Sequence, residues 1–304
     1  MNPTSPLIQT SVFGLLQVQG PDAVKFLQGQ VTCDVAQTSV TQGLYGAHCN
    51  PKGRILFSFF LFRRAEDCLW LQIPCSLLQQ ALKDLQKYSV FSKVTLTDIS
   101  ENYPLQLIQT RQPIDRDMPF NTQLSLYQDT TGFIRQRSPN IWEVGGSPDP
   151  SHLPQDCTQV NHIGALVDIQ QGIAHIFPES RELFTPEEIN FPLIDAVSFR
   201  KGCYTGQEII ARMHYKGKHK RHAYRFVVET GEIPLPGSSI SSTTTGQKIG
   251  ELISAASIDS NQIECLASIT DDNKHLAQLD INKEKMLWLS LPYAIPVAED
   301  NNAN

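Results

Sequence analysis

No run in this 304-residue chain is apolar for long enough to cross a bilayer. The best candidate, Ile55 to Phe62, is short and interrupted by Ser58. The start, Met1-Asn2-Pro3-Thr4-Ser5-Pro6, has neither the basic region and apolar core of a secretory signal nor an Arg-rich amphipathic pattern. A soluble cytoplasmic protein with no membrane partner is therefore expected. Cys-x-x-Cys is absent, and the seven cysteines are an odd number without paired spacing, which argues against a disulfide framework and leaves reduced thiols as the expectation. His214, His219 and His222 match no zinc-ligand spacing, so no metal site is expected. Internal repeats are lacking too. What is present is length and apolar content: 304 residues exceed one ordinary core, and 40% hydrophobic residues can fill two or three domains.

The richest stretch is Lys201-Gly202-Cys203-Tyr204-Thr205-Gly206-Gln207-Glu208. Thr205 and Glu208 have capping-box spacing, so a helix is expected to begin near Gly206 with Ile209, Ile210 and Met213 on its apolar side. Cys203 then precedes the positive end of that helix, where backbone N–H groups and the Lys201 ammonium would favour thiolate, with Tyr204 as an aromatic wall. The alternative is that Cys203 is a small buried hydrophobe. Arg212 to Arg225 follows, with six lysines and arginines and no acid, in a chain of net charge -6. It reads either as an electropositive steering surface for an anion, with Tyr215, Tyr224 and three histidines available to stack on planar rings, or as a solvated loop near Gly217.

Along the chain, Val12–Val18, Ile55–Arg63, Cys68–Ile73, Lys93–Ile99 and Tyr103–Gln109 read as strands. A short helix through Phe26 and Leu27 follows Gly20-Pro21-Asp22, and a second, capped by Ser76…Gln79, carries Ala81, Leu82, Leu85 and Tyr88. This order suggests an antiparallel sheet with a helix on one face. Arg111–Asn121 reads as a linker, and Leu124–Tyr127, Phe133–Arg137 and Ile141–Val144 as short strands. A helix over Val160–Gln171, with Ile163, Leu166, Val167 and Gln170 on one side, ends at Gly172. From Tyr224 onward Arg225–Val228, Ile249–Ala255, Ile263–Ile269 and Met286–Leu289 suggest a small sandwich or barrel, and Glu299–Asn304 a disordered tail.

Four blocks resemble one family: Phe26-Leu27-Gln28-Gly29-Gln30-Val31-Thr32-Cys33-Asp34, Ala47-His48-Cys49-Asn50-Pro51-Lys52-Gly53-Arg54, Tyr88-Ser89-Val90-Phe91-Ser92-Lys93-Val94, and Ser198 to Glu208 with Ala211-Arg212. In them the chain resembles the YgfZ-type folate-binding proteins, relatives of the T-protein (aminomethyltransferase) of the glycine cleavage system. The resemblance implies an α+β, T-protein-like three-domain ring with a ferredoxin-like α+β unit and a small C-terminal β-barrel. Its parts would be a discontinuous folate-binding core at 1–54 plus 145–222, an inserted α+β domain at 55–144 and the barrel at 223–304. It also implies a tetrahydrofolate or derivative as ligand, and a role in assembling or repairing iron-sulfur enzymes, including those that modify tRNA. Assembly factors and client enzymes would be partners, tRNA an indirect one, and iron-sulfur clusters transient associates.

Under this resemblance Cys203 is the functional thiol, flanked by Lys201 and Tyr204. Candidate folate contacts are Phe13, Gln30, Thr32, Asp34, Lys52, Arg54, Gln170, Gln207, Glu208 and Arg212, with Lys52 and Arg54 facing a glutamate tail. Two alternatives stand beside it: folate-dependent aminomethyl or one-carbon transfer, and a direct tRNA-binding module at Arg212–Arg225. Gly53-Arg54-Ile55-Leu56-Phe57 lacks the aspartates that T-proteins carry after the glycine turn, which argues against transferase activity. Gln170 stands where many folate-binding relatives have glutamate, and an amide can still pair with a pterin edge. Phe13 and Gly164 stand where some relatives have tryptophan.

Overall fold

The computed structural model describes residues 12–111, 125–154, 156–160, 163–216, 220–279 and 286–296. Met1–Pro6, most of the Arg111–Asn121 linker, Leu124, the Glu299–Asn304 tail and Gly217, Lys218 and His219 of the basic stretch lie outside them. The fold is α+β, built on three antiparallel sheets.

The first sheet contains β1 (Phe13–Gln19), β2 (Leu44–Cys49), β3 (Ile55–Ala65), β4 (Cys68–Pro74) and β5 (Thr95–Asp98), in the order β2-β3-β4-β1-β5. α1 (Ala23–Gln28) follows β1, and α2 (Cys75–Ser89) links β4 to β5. Strand β4 is buried along its whole length and most of β3 is as well, so both read as continuous apolar runs rather than alternating ones. Leu77, Leu78, Ala81 and Leu85 form the buried stripe of α2. That helix starts at Cys75, directly after Pro74, which places Ser76 inside the first turn, and no side chain caps it. The capping box read at Ser76…Gln79 is therefore absent. Strands β2 and β3 pair from Leu44↔Leu61 to Cys49↔Ile55, so a division at residue 54 falls inside a hairpin of one sheet.

The second sheet comprises β6 (Leu105–Thr110), β7 (Leu126–Gln128), β8 (Gly132–Ser138), β9 (Ile141–Gly146) and β10 (Cys157–Val160), ordered β10-β6-β9-β8-β7. Val160 thus ends a strand. The helix expected from it, α3, runs Gly164–Gln170 and buries Val167, Asp168 and Ile169, a face turned from the one its apolar spacing suggests. Phe133 of β8 lies 4.9 Å, centroid to centroid, from Phe62 of β3 and joins the two sheets.

Between these sheets lies a buried charged network. Arg135 donates to Glu143 (2.6 Å) and Gln72 (3.1 Å), Gln72 donates to Glu143 (2.7 Å), and Arg137 bridges Glu143 (2.9 Å) and Asp168. Asp168 also meets His175 Nε2 at 3.1 Å. Burial pushes the Asp168 carboxyl up, but Arg137 and His175 more than offset this and hold it at about 2. Removing one member of such a set leaves a charge buried and uncompensated.

From Gly172 to Gly206 the chain makes three 3-10 turns, at Pro178–Ser180, Glu187–Ile189 and Phe191–Ile194, before α4 (Gln207–Lys216). Asn190, at φ 61°, sits between the last two turns and exchanges two hydrogen bonds with the Ala223 backbone. The third sheet has β11 (Arg221–Glu229), β12 (Ser239–Ser242), β13 (Lys248–Ser257), β14 (Gln262–Thr270), β15 (Ala277–Leu279) and β16 (Leu287–Leu289), ordered β15-β12-β13-β14-β11-β16. It holds its own core around Phe226, Leu252, Ile263 and Ile269, and α3 packs on β13 and β14.

Candidate functional site

The Cys203 segment is laced onto the loop after α1. Thr32, fully buried, exchanges backbone bonds with Ala47 and Ser198, while its hydroxyl donates to Ala196 O (2.7 Å) and accepts from Ala47 N (2.9 Å). Lys201 Nζ donates to Val31 O (2.6 Å) and Cys33 O (2.8 Å) and sits 4.8 Å from the centre of the Tyr204 ring. Its ammonium is therefore held as a clamp on two carbonyls. Burial lowers Lys201 to about 8, against the attraction of Cys33 and Asp34. Tyr204 is buried, and its hydroxyl has no hydrogen-bond partner among the described residues.

Helix α4 begins one residue later than a Thr205 cap would require. Gly206 O accepts the first helical bond, from Ile210 N, so Gly206 is the cap residue and Glu208 falls too early to close a box with Thr205. Gly206 has φ 85°, and a Cβ there would lie 2.6 Å from Asn50 O. This contact packs the helix start against the Asn50–Gly53 turn. Along α4, Gln207 is half-buried while Glu208 and Arg212 are exposed.

Within this frame Cys203 is exposed, and it is the only exposed one of the seven cysteines. Burial pushes the Cys33 and Cys265 thiols up to about 12 and Cys49 higher still, which keeps them protonated and inert. Cys203, by contrast, is open to a reagent or partner from solvent.

The other sequence candidates divide into those that remain available and those already committed. Asp34 caps the turn Val35–Gln37 and accepts from Gln28 and Gln37, and burial notwithstanding, these bonds hold its carboxyl below the usual range. Arg54 donates to Leu183 O (2.6 Å) and Glu188 (2.8 Å), so its guanidinium is engaged within the chain rather than held out toward a ligand tail. Phe13 packs edge-on to His175 at 4.7 Å in the core. Gln170 reaches Glu264 Oε2 over a long 3.4 Å. Gln30 holds His48 through its carbonyl (2.7 Å), while its side-chain Oε1 is buried without a hydrogen-bond partner among the described residues. Gln30 to Asp34 and Lys201 to Tyr204 thus come together, and Phe13 and Gln170 lie elsewhere.

The basic stretch is largely neutralised by acids distant in sequence. Arg221 pairs with Glu188 (3.7 Å) and Glu251, Arg225 with Glu264, His214 with Glu187 (2.8 Å) and His222 with Asp271 (2.9 Å). Tyr224 donates to Asp271 (3.0 Å), and His214 stacks on Phe199 at 3.8 Å. Only Arg212 and Lys220 remain as exposed described cations of that run outside any ion pair. The network of Arg135, Arg137, Glu143, Asp168 and His175 is not announced by the sequence. Its one local signal is that Arg135 and Arg137 share the strand face of buried Phe133. Among the described residues no helix is long and apolar enough to cross a membrane.

Residues 4–109 match the GCVT N-terminal domain family. The tRNA-modifying protein YgfZ of Photobacterium profundum is 28% identical over 309 residues, covering 96% of this chain and 93% of that protein. The tRNA-modifying protein YgfZ of Hamiltonella defensa is 32% identical over 242 residues, covering 75% and 71%. Glycine cleavage system aminomethyltransferase T from Bartonella henselae superposes with a TM-score of 0.70 at 18% identity, over 93% of this chain and 84% of that one.

Proposed function

Because the chain belongs to the YgfZ family, we propose that it is a cytoplasmic, tetrahydrofolate-binding accessory protein that supports assembly or repair of iron-sulfur enzymes, including enzymes that modify tRNA. The observation that carries this reading is the exposure of Cys203 alone among seven cysteines, on a segment that Lys201 and Thr32 hold against the loop after α1. Thiolate is a soft ligand for iron and a competent acceptor of sulfur, and a surface thiol can meet a cluster or client protein as cargo where a buried one cannot. Transfer RNA is then reached through the client enzymes. Glu143 and Asp168 are both locked in ion pairs, so neither of these buried carboxylates is free to act as the general base of aminomethyl transfer.

For folate, Gln170 is the residue whose chemistry suits a pterin edge. The Gln170 amide both donates and accepts, and its bond to Glu264 Oε2 is a long 3.4 Å, while Glu264 itself is buried and held by Arg225. Bound there, the folate would supply a one-carbon carrier, and Gln170 would orient its ring. Thr32 serves the frame of the thiol instead.

In cells lacking the native protein, the Cys203→Ala variant is expected to leave iron-sulfur enzyme activity unrestored at wild-type expression, and full rescue would overturn the thiol reading. Calorimetric titration with tetrahydrofolate tests the folate half separately. Heat that disappears in Gln170→Leu supports it; no heat in the wild type removes it.

A further inference from the structure

Two of the four family blocks meet in a place the thiol site does not use. The end of α1, in the first block, and the turn after α2, in the third, wall a surface depression of about 210 Å³. Phe26, Tyr88 and Phe91 supply its aromatic faces, and Asp22, Lys25 and Gln30 its polar edge. The walls are fixed to each other, since Asp22 Oδ2 accepts from Lys93 N (2.8 Å) and Gly20 lies against the Lys93 carbonyl too closely for any side chain.

Three features of this depression point to a ligand. Phe91 is 97% exposed, and nothing in the packing of the protein explains an aromatic ring held fully in water beside a cavity. Gln30 lines the cavity, and its side-chain oxygen is buried without a hydrogen-bond partner among the described residues, so a turn of this side chain toward the opening would offer an incoming N–H an unspent acceptor. Lys25, which lines the cavity, and Lys93, next in sequence to its lining residue Ser92, are both exposed and outside every ion pair of the described residues. The volume is below the range of about 300–1,000 Å³ usual for whole cofactors, so one ring system fits where a folate does not.

We propose that this depression is a nucleotide subsite: one unstacked base of a single-stranded RNA enters against Phe91 and Tyr88, an N–H of its edge meets Gln30 Oε1, and Lys25 or Lys93 meets its phosphate. Planar faces, a hydrogen-bond acceptor and nearby cations are what single-stranded RNA sites combine. The Asp22 carboxylate disfavours a phosphate inside the cavity, so the base faces inward and the phosphate lies at the lysines. The basic stretch of Arg212 to Arg225 is the weaker candidate, because acids from elsewhere in the chain pair with Arg221 and Arg225. This inference is independent of the thiol at Cys203.

The test uses the full chain, a fluorescein-labelled single-stranded RNA 12-mer of mixed sequence followed by anisotropy, and the four nucleoside monophosphates followed by calorimetry. Phe91→Ala is the main variant, since a side chain so exposed contributes nothing to folding. Loss of one stacking face is expected to weaken RNA binding by about ten-fold or more. Lys25→Gln is expected to lower the slope of log affinity against log salt by about one. If the monophosphates bind as tightly as the RNA and lose affinity in Phe91→Ala, the subsite stands and its source is a free nucleotide. Binding that is undetectable for both probes, or unchanged in Phe91→Ala while Arg212→Ala abolishes it, would overturn the proposal.

Discussion

The Lys201 ammonium lies 2.6 Å from the Val31 carbonyl, fastening the segment that carries Cys203 to the loop after α1. This clamp is a buried charge, and burial lowers Lys201 from 10.5 to about 8 in the folded protein. Between those values the unfolded chain binds more protons, so the stability assignable to Lys201 rises as pH goes from about 8 to 10.5 and is at its lowest below about 8, where both states are protonated. Urea unfolding of wild type and Lys201→Met at pH 7 and pH 10.5 is expected to show the wild type gaining on the variant by up to about 3 kcal/mol. Parallel pH dependence of the two proteins would refute the buried-charge description.

Thr32 connects the same segment to β2 through a hydroxyl that both donates and accepts inside the protein. Thr32→Val keeps the shape and leaves Ala47 N and Ala196 O without that partner. The expected loss is about 2–4 kcal/mol in denaturant unfolding, at roughly 1–3 kcal/mol for each buried group left unpaired. A loss under about 0.5 kcal/mol would mean the clasp is not formed.

At Gly206 the positive φ and the nearby Asn50 carbonyl act together. Gly206→Ala is expected to lower the melting temperature by several degrees, since strain of about 1 kcal/mol or more adds to the steric clash. Circular dichroism melts read the effect, and an unchanged melting temperature would contradict the close approach of α4 to the Asn50–Gly53 turn.

Asp168 contributes stability that is present above its ordinary value of 3.8 and is lost as pH falls through about 2, because Arg137 and His175 overcome its burial. Asp168→Asn, which leaves Arg137 with one carboxylate fewer, is expected to cost about 3–5 kcal/mol at pH 7. Its deficit relative to wild type should shrink toward pH 2, and a constant deficit across that range would show that the carboxylate charge is not what matters.

The helices and most strands were legible because their signals are local. The stripe Ala81, Leu82, Leu85 marks α2, and the apolar runs of Ile55–Arg63 and Cys68–Ile73 mark β3 and β4. Pairing was less legible, since β5 lies beside β1 across some eighty residues of chain and the hairpin of β2 and β3 crosses a division drawn at a glycine turn. Charge was misleading for the same reason. Arg221 and Arg225 look unopposed in sequence, and their partners Glu188, Glu251 and Glu264 arrive only through the third sheet and the 3-10 turns. For Cys203, sequence left burial and exposure both open, and tertiary structure decides for exposure. The inward turn of Lys201 had no local signal, because it answers to carbonyls about 170 residues away.

The central claim is that Cys203 is the most accessible thiol of the folded protein, with Cys75 and Cys157 half-buried and the other four cysteines buried. Brief alkylation of the native protein with a small iodoacetamide reagent, followed by peptide mapping, measures this directly. The expected result is labelling first at Cys203, more slowly at the half-buried Cys75 and Cys157, with Cys33, Cys49 and Cys265 reacting only after unfolding. An unlabelled Cys203, or native labelling at Cys33 or Cys49 in preference to it, would contradict the account.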